Sequence, residues 1–457
     1  MSSGEEAMHV IDTNLMVFEE QTKIAKQEGA DIILFPENGI RGFGFYMAKP
    51  YLDEIPDPNH VSWCPYLDQN LNETAHSEYR LSHMARENSL YLVANVGEAV
   101  PCNVHHDPKC PRKGQYQYNT DVVYAPDGCL VAKYRKYHLY FEPEYNTPLL
   151  KHVTFQTPFG IFGLLTCFDL LFHEPSISLV KDHGAENIIF PAAFNDGMPL
   201  MAAIEFASAW SIRMRVNLLA ANIQQPDRQM SGSGVFSPDG PLVYYRKMSS
   251  DQGRLLVAKV PAYKPTVPPM ARNDATPSLP QLQSSVKFVA NLSSDPYHWI
   301  MLQSLAATTA ICHNSVCCQL SYTIKSRVAG EIYALGAFDG LHTKNGNYYL
   351  QVCTVVKCAN DKAKSCGSPV ENSRTIFTHF DLHGVFNTRY VFPSLNTNGV
   401  KFASGEWSFN YEQLEGRILS RPNGIKEPLL SSALYGRFYE RDNISSSRSN
   451  KKQNPTR

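Results

Sequence analysis

The stretch 160–169 most constrains how this chain can fold, because it has the pattern of a buried strand that ends in a single cysteine. The run 161–166 is short and apolar, and two glycines in the stretch let neighbouring backbone approach closely. A turn and a helix are indicated after it. Active sites of α/β folds are built where strands end and helices begin, so Cys167 is a candidate nucleophile. A helix N-terminus there would favour thiolate over thiol, whereas the competing interpretation is a buried structural cysteine.

Two other predicted strands also end in a charged residue. The apolar run 31–35 leads to Glu37, and the strand 128–134 leads to Lys136. A carboxylate, an ammonium and a thiol are what amide hydrolysis through a thioester requires. The base takes the thiol proton, the thiolate attacks the carbonyl, and the cation stabilises the oxyanion. We therefore expect Glu37, Lys136 and Cys167 to converge at the C-terminal edge of a sheet.

The motifs around these residues resemble a known family. The order Glu, Lys, Cys in the contexts Phe-Pro-Glu, Arg-Lys-x-His-Leu and Thr-Cys-Phe-Asp is similar to that of the carbon–nitrogen hydrolase (nitrilase) superfamily. The segments 114–123, 230–234 and 333–342 narrow the resemblance to its biotinidase/vanin (pantetheinase) branch. The resemblance covers nearly all of residues 5–441.

The resemblance implies an α/β fold, a four-layer α-β-β-α nitrilase sandwich followed by a second, mostly β C-terminal domain. Strand–helix alternation with interspersed hairpins agrees with a mixed sheet covered by helices, and residues 5–28 predict a helix that ends at Gly29. A proline-rich composition typical of a linker follows, and alternating strands come after it. We expect a catalytic domain at 1–260, a linker at 261–284, a vanin-type β domain at 285–441 and a disordered tail at 442–457.

The resemblance also assigns roles to four residues. Glu37 is the general base, Lys136 stabilises the oxyanion, and Cys167 is the nucleophile, with the backbone N–H of Phe168 as a second oxyanion donor. Glu142 is similar to a second carboxylate that many nitrilases place near the lysine, where it orients the ammonium or assists proton transfer. No cofactor and no metal are implied.

Substrate contacts are expected from two segments. Phe45 lies in an aromatic loop, and Phe194 and Asn195 lie near where the family binds substrate. Phe194 stands where the family often has Trp, which leaves substrate preference open. His138 and Asp169 are interpreted as a packing residue and a turn residue, without chemistry.

Three functions remain candidates. The leading one is hydrolysis of a linear amide, with pantetheine cleaved to pantothenate and cysteamine. The second is biocytin hydrolysis, the biotinidase activity. The third, of another class, is a truncated, non-catalytic secreted or interaction protein. A net charge of −1 gives no electrostatic argument for nucleic acid or an anionic membrane, so we expect a small-molecule amide as partner and a monomer without a transmembrane segment.

The chain has 11 cysteines, a density that favours an oxidising compartment. Pairing of Cys102 with Cys110 across a short loop is simple to propose. The later cysteines allow many connectivities, and zinc is a less favoured alternative because Cys-x-x-Cys and His pairs are lacking. In the branch, Cys64 pairs with a cysteine where His83 stands here, so the resemblance leaves Cys64 unpaired and Cys129 extra. The later disulfide candidates are Cys312, Cys317, Cys318, Cys353, Cys358 and Cys366.

Three sequons, at Asn72, Asn291 and Asn443, agree with secretion and are glycosylation candidates. The start of the chain has no apolar signal segment. Proteins of the branch carry a signal peptide and a first core strand ahead of this point, so we expect both to be missing from this chain. The resemblance nevertheless implies a secreted, extracellular protein.

Overall fold

A computed structural model describes most of the chain, and it divides into two compact units. The described residues are 4–42, 52–68, 70, 75–263, 287–326, 328–404, 407–412, 414–420 and 424–444. The first unit comprises Met1–Asn195 and Met214–Val267, and the second comprises Asp196–Arg213 and Pro268–Arg457. The expected linker lies almost wholly outside the described residues. No helix in the described part is long and apolar enough to cross a membrane.

The described strands of the first unit form two sheets. The first sheet runs in the order β1-β3-β4-β5, with β2 also on β3, and the second runs β11-β10-β9-β8-β7-β6. The pairs β1–β3, β7–β8 and β8–β9 are parallel, which requires long crossover connections between them. The strands are β1 (Ile32–Leu34), β2 (Leu52–Asp53), β3 (Tyr91–Pro101), β4 (Gln115–Tyr124), β5 (Leu130–Arg135), β6 (Thr154–Thr157), β7 (Gly160–Leu164), β8 (Asn187–Ala192), β9 (Asn217–Asn222), β10 (Ser233–Ser237) and β11 (Gly240–Tyr245).

Helices cover the outer faces of these sheets. The α-helices of the described chain are α1 (Gly4–Gln27), α2 (His76–Asn88), α3 (Ser178–Lys181) and α4 (Ala203–Met214). Helix α1 buries one face at three- and four-residue spacing, and Phe18 stacks on Phe35 with ring centroids 3.7 Å apart. It ends before Gly29, whose φ of 83° is the left-handed conformation expected there. Helices α1 and α2 share one apolar cluster with β1, β3 and β4.

A second apolar cluster lies between the two sheets. Val93 and Val123 come from the first sheet, and Phe162 and Leu164 come from the second. On the other face of the second sheet, Gly163 leaves room for Leu179 of α3. The order of layers is therefore helix, sheet, sheet, helix, which confirms the expected sandwich.

The second unit is mostly β, as expected. A seven-stranded sheet runs β12-β13-β16-β17-β23-β19-β20, and a five-stranded sheet runs β14-β15-β18-β22-β21. One apolar cluster takes residues from both sheets, and helix α4 also belongs to this unit. The strands are β12 (Lys287–Leu292), β13 (Asp295–Met301), β14 (Ala306–His313), β15 (Val316–Ile324), β16 (Tyr333–His342), β17 (Tyr348–Lys357), β18 (Phe377–Val385), β19 (Val391–Thr397), β20 (Lys401–Phe402), β21 (Trp407–Glu412), β22 (Glu415–Ser420) and β23 (Leu429–Arg437).

The structure differs from the expected boundaries at two places. Residues 196–213 belong to the second unit, where Phe206 packs against Phe392 with ring centroids 5.6 Å apart. Residues 442–444 are not part of a disordered tail, because they end the 3₁₀ helix Tyr439–Ile444. Asp442 lies 2.6 Å from the fully buried guanidinium of Arg437, and this ion pair holds the segment in place.

Five disulfides pair ten of the eleven cysteines. The pairs are Cys64–Cys129, Cys102–Cys110, Cys312–Cys317, Cys318–Cys353 and Cys358–Cys366. The Cys318–Cys353 bond joins β15 to β17 and so connects the two sheets of the second unit. The cysteines for which zinc was an alternative are thus paired with one another.

The expectation that Cys64 is unpaired was wrong. The backbone N–H of Leu130 donates to the carbonyl of Trp63 at 2.8 Å, so the hairpin turn between β4 and β5 lies against the Cys64 segment. This contact brings Cys129 within bonding distance of Cys64. The side chain of His83 is instead half exposed and lies 3.7 Å from Glu87.

Of the three sequons, Asn291 is exposed on β12. Asn443 lies in the 3₁₀ helix Tyr439–Ile444, and Asn72 lies outside the described residues.

Candidate active site

Three strand ends of the first unit carry the predicted reactive groups. Glu37 follows β1, Lys136 follows β5 directly, and Cys167 follows β7. The ammonium Nζ of Lys136 lies 2.7 Å from Oε1 of Glu37. All three residues are buried, at 1%, 2% and 5% exposure respectively. The site is therefore a desolvated one, in which charge interactions are stronger than in water.

Lys136 lies between two carboxylates. Its Nζ is also 2.5 Å from Oε2 of Glu142, which in addition accepts a hydrogen bond from the backbone N–H of Tyr140 at 3.0 Å. Burial opposes the charged form of both groups. The charges of Glu37 and Glu142 outweigh burial and raise the pKa of Lys136 well above its usual value, and Lys136 in turn lowers the pKa of Glu142. The ammonium and this carboxylate are therefore both ionised at neutral pH.

Cys167 lies on a tight turn at the start of the 3₁₀ helix Cys167–Leu171. Its φ of 47° is in the left-handed region, which is uncommon for a residue with a side chain. Asp169 holds this turn by accepting the backbone N–H of Thr166 at 3.1 Å and the hydroxyl of Tyr134 at 2.7 Å. It also accepts the N–H of His138 at 2.8 Å, which agrees with the interpretation of Asp169 as a turn residue.

The resting thiol of Cys167 is protonated, contrary to the expectation from a helix N-terminus. Burial and the charge of Glu37 raise its pKa well above the usual value, and Lys136 offsets only part of this. The helix that follows is a single short 3₁₀ helix of 5 residues, so its terminus contributes little. Deprotonation in this site thus depends on a base.

The backbone N–H of Ala193 connects the carboxylate and the thiol. It donates to Oε2 of Glu37 at 2.9 Å, and a hydrogen bond from the same N–H lowers the pKa of Cys167. Ala193 directly follows β8, a fully buried strand, so this donor is rigidly placed. Glu37 and Cys167 therefore share a backbone donor, which puts the carboxylate next to the thiol.

The expected substrate residues follow Ala193 in the chain. The N–H of Phe194 donates to Oδ1 of Asn222 at 2.8 Å, and Nδ2 of Asn222 donates back to the carbonyl of Phe194 at 3.1 Å. Nδ2 of Asn195 donates to the carbonyl of Arg228. These bonds fix the backbone of the segment beside the site. Phe45 lies outside the described residues.

Sequence reasoning missed one polar residue in the centre of the site. Nδ2 of Asn119, on β4, lies 2.8 Å from Oε1 of Glu37 and 2.7 Å from Oε1 of Glu142. The only signal for Asn119 was its place in the motif 114–123, to which no role was attached. Across the described residues, no cluster of three His, Cys, Asp or Glu side chains is arranged to hold a metal ion.

Comparisons with known proteins identify the family of the chain. The carbon–nitrogen hydrolase family model matches residues 8–252, and the vanin C-terminal domain model matches residues 286–442. Pantetheinase from Sus scrofa is 42% identical over 450 residues, which cover 97% of this chain and 86% of that protein. Pantetheinase from Homo sapiens is 40% identical over 446 residues, covering 96% and 86%. Biotinidase from Takifugu rubripes is 38% identical over 461 residues, covering 96% and 90%.

Proposed function

Because the chain belongs to the carbon–nitrogen hydrolase family and carries a vanin C-terminal domain, we propose that it hydrolyses pantetheine to pantothenate and cysteamine through a thioester on Cys167. Relatives named pantetheinase, 40–42% identical over most of their length, support this substrate. The observation that carries the proposal is the buried contact between Lys136 and Glu37 beside a protonated thiol. That set supplies the base, the cation and the nucleophile of amide hydrolysis.

Acylation begins with transfer of the thiol proton of Cys167 to Glu37. Both groups lie in the buried site, so the transfer moves a negative charge from carboxylate to sulfur without changing the net charge. The thiolate then attacks the amide carbonyl, and a negative charge develops on the carbonyl oxygen. The Nζ of Lys136 and the backbone N–H of Phe168 are the donors that stabilise this oxyanion.

Collapse of the tetrahedral intermediate breaks the carbon–nitrogen bond. Glu37 returns the proton to the departing amine, cysteamine, and the acyl group remains on Cys167 as a thioester. Glu37 then takes a proton from water, which attacks the thioester carbonyl. Collapse of this second tetrahedral intermediate breaks the carbon–sulfur bond and releases the acid, which ionises to pantothenate. Glu37 returns its proton to the thiolate of Cys167 and so restores the resting site. Glu142 keeps Lys136 charged and oriented through both half-reactions.

Substrate selection belongs to the walls of the site, because the thioester chemistry needs only an accessible amide carbonyl. We propose Phe45, Phe194 and Asn195 as these walls. Phe194 is smaller than the Trp common in the family, which enlarges the pocket and keeps biocytin as the second candidate substrate. The biotinidase relative, at 38% identity, supports the same alternative. A non-catalytic role is disfavoured, since all the reactive groups are present and buried together.

We also propose where the protein is located and which residues carry the chemistry. The five disulfides support an oxidising, extracellular location, and the protein acts as a monomer. Exposed Asn291 is available for glycosylation. We assign the chemistry to residues 1–260 and a supporting role to residues 285–441, with 261–284 as the linker between them.

Two measurements test this function. Cys167→Ala should abolish hydrolysis of pantetheine while the far-UV circular dichroism spectrum stays the same, and wild-type turnover in that variant would place the nucleophile elsewhere. The ratio of kcat/KM for pantetheine to that for biocytin decides the substrate. A tenfold preference for biocytin, about 1.4 kcal/mol of transition-state discrimination, would replace the pantetheine assignment.

A further inference from the structure

Asn119 contacts both carboxylates of the site through one nitrogen. Its Nδ2 is 2.8 Å from Oε1 of Glu37 and 2.7 Å from Oε1 of Glu142. An ionised carboxylate only accepts hydrogen bonds, so the amide must present its NH₂ group here. Both of its hydrogens are used, one for each carboxylate. The side chain is 1% exposed, so water does not compete for these bonds.

A second amide, that of Asn95, fixes the orientation of the Asn119 side chain. Nδ2 of Asn95 donates to Oδ1 of Asn119 at 2.6 Å and to Oδ1 of Asp121 at 2.8 Å. Oδ1 of Asn95 accepts the backbone N–H of Asn38 at 3.0 Å, and a backbone N–H only donates. The orientation of Asn95 is thus set by the residue next to Glu37 in the chain. A flipped Asn119 would place its carbonyl oxygen against two carboxylates and its NH₂ group against another NH₂ group.

The same network reaches the nucleophile from the other side. Oδ2 of Asp121 accepts the hydroxyl of Thr166 at 2.7 Å, and Thr166 directly precedes Cys167. Asn95, Asp121 and Thr166 are all 0% exposed. Burial raises the pKa of Asp121 to about 8, and the bonds from Thr166 and Asn95 oppose the shift. Buried hydrogen bonds therefore connect the two carboxylates to Asn119 and then to Asn95. From Asn95 they continue through Asp121 to the hydroxyl of Thr166, which directly precedes Cys167.

The two hydrogen bonds from Asn119 offset a repulsion between negative charges. Two negative carboxylates share one ammonium, and like charges repel more strongly in a desolvated site than in water. Two amide hydrogens directed at both oxygens offset that repulsion and fix the distance between the carboxylates.

We propose that Asn119 is a positioning residue, whose amide fixes the two carboxylates around Lys136. The proposal rests on the proposed function for the roles of Glu37 and Cys167. Asn119 acts through Glu37 and Glu142.

The decisive comparison is Asn119→Asp with Asn119→Ala. Aspartate has nearly the shape of asparagine but sets a third carboxylate against the other two, whereas alanine only removes the donor. We expect kcat to fall roughly 10²-fold for alanine and at least as far for aspartate, with KM within about threefold of wild type. A residue that only fills space predicts the opposite order, since aspartate conserves volume. Aspartate retaining clearly more activity than alanine would overturn the proposal.

The second readout is the pH profile of alkylation of Cys167 by iodoacetamide, which needs no amide substrate. Loss of the amide donor should move the acidic limb of this profile upward by about one pH unit. Burial and the charges of Glu37 and Glu142 raise the pKa of Cys167, and the amide would no longer offset those charges. The groups that act on this thiol are Glu37, Lys136, Glu142 and the N–H of Ala193. An unshifted limb in both variants would contradict the proposal. If wild type did not cleave pantetheine, only the proposed function would fail, because alkylation would still report on Asn119.

Asn217 provides a matched control in the same unit. It is 0% exposed, and its Nδ2 donates to Oδ1 of Asn187 at 2.9 Å and to the carbonyl of Pro261 at 2.8 Å. Asn217→Asp and Asn217→Ala should lower the melting temperature by several degrees while the alkylation limb stays in place. A shifted limb in the Asn217 variants would show that the effect at Asn119 is only a general loss of stability.

Discussion

The carboxylates around Lys136 and those of Asp53 and Glu78 lie in the same unit, yet burial leads to opposite charge states. Lys136 lowers the pKa of Glu142. Burial raises the pKa of Glu78 to about 8 and that of Asp53 to about 7. The charge of Asp53 adds to the upward shift at Glu78. Glu142 is therefore ionised at neutral pH, whereas Glu78 holds a proton.

The difference lies in where the nearby cations direct their hydrogen bonds. Lys133 also acts on Glu78, but its Nζ donates to Glu98 at 2.7 Å, and Arg135 donates to Glu98 through two nitrogens. Glu98 therefore takes the hydrogen bonds of both Lys133 and Arg135. Glu78 accepts only the hydroxyl of Tyr124 among its described contacts, and its Oε1 has no partner. A buried carboxylate is ionised when an ammonium is hydrogen-bonded to it, and nearness of positive charge alone is not sufficient.

Lys136→Met should leave the carboxylates of the site without an ammonium, as Glu78 is. We expect the largest effect of these variants from it. It leaves Glu37 and Glu142 buried without their ammonium, so we expect a loss of about 3–5 kcal/mol in the free energy of unfolding at pH 8. Activity should fall by about 10³-fold or more, since the oxyanion loses its cation. Without the cation, the folded state binds protons more tightly than the unfolded chain, so part of the stability should return as the pH falls to 5.

Urea unfolding at pH 5 and pH 8, on wild type and on Lys136→Met, measures this directly. A variant as stable as wild type at pH 8 would mean that Lys136 does not hold the two carboxylates in their ionised form. Lys133→Met serves as the control, because Arg135 still neutralises Glu98 there.

Glu142→Gln should weaken the contacts around Lys136 without removing the ammonium. The amide oxygen of glutamine can still accept from Lys136 and Tyr140, but its NH₂ group then faces the NH₂ group of Asn119. We expect kcat to fall roughly 10²-fold with KM little changed, and the free energy of unfolding to change by about 1 kcal/mol or less. Steady-state kinetics and urea unfolding on the same preparation separate the two effects. A rise in KM at constant kcat would instead make Glu142 a binding residue.

Glu78→Gln tests the carboxylates of Asp53 and Glu78, and it should leave catalysis unchanged. The folded pKa of Glu78 is raised to about 8, above the usual carboxyl value. Its contribution to stability is therefore complete below the unfolded pKa and is lost as the pH rises towards 8. Glutamine keeps an acceptor for Tyr124 and removes the titration. We expect the variant to be more stable than wild type by about 4 kcal/mol at pH 8 and equal to it near pH 4.5, as measured by urea unfolding across this range. A difference independent of pH would show that Glu78 is ionised in the folded protein.

The sequence predicted those parts of the structure that depend on short stretches of chain. The three strand ends, helix α1 with Gly29, and the change to a mostly β second unit each follow from local periodicity and composition. The meeting of Glu37 and Lys136 was also predictable, because strand ends gather at one edge of a sheet.

The remaining features depend on contacts that local pattern does not encode. Asn119 has no distinguishing neighbourhood in sequence, and its importance appears only when two distant carboxylates point at its amide. The partner of Cys64 depended on where the hairpin before Leu130 came to lie. The protonation state of Cys167 depended on how deeply the folded chain covers it, and burial outweighed the helix terminus.

The burial of Cys167 has a consequence for how the protein matures. All eleven cysteines lie in the described residues, ten are cross-linked, and Cys167 is the free one. Shuffling of cross-links proceeds through an accessible thiolate, and an unpaired sulfur among five bonds is the natural starting point for scrambling. Coverage of the side chain blocks access, and the raised pKa keeps the thiolate fraction small. The packing that raises the pKa of Cys167 thus also protects the five disulfides from attack by the free thiol.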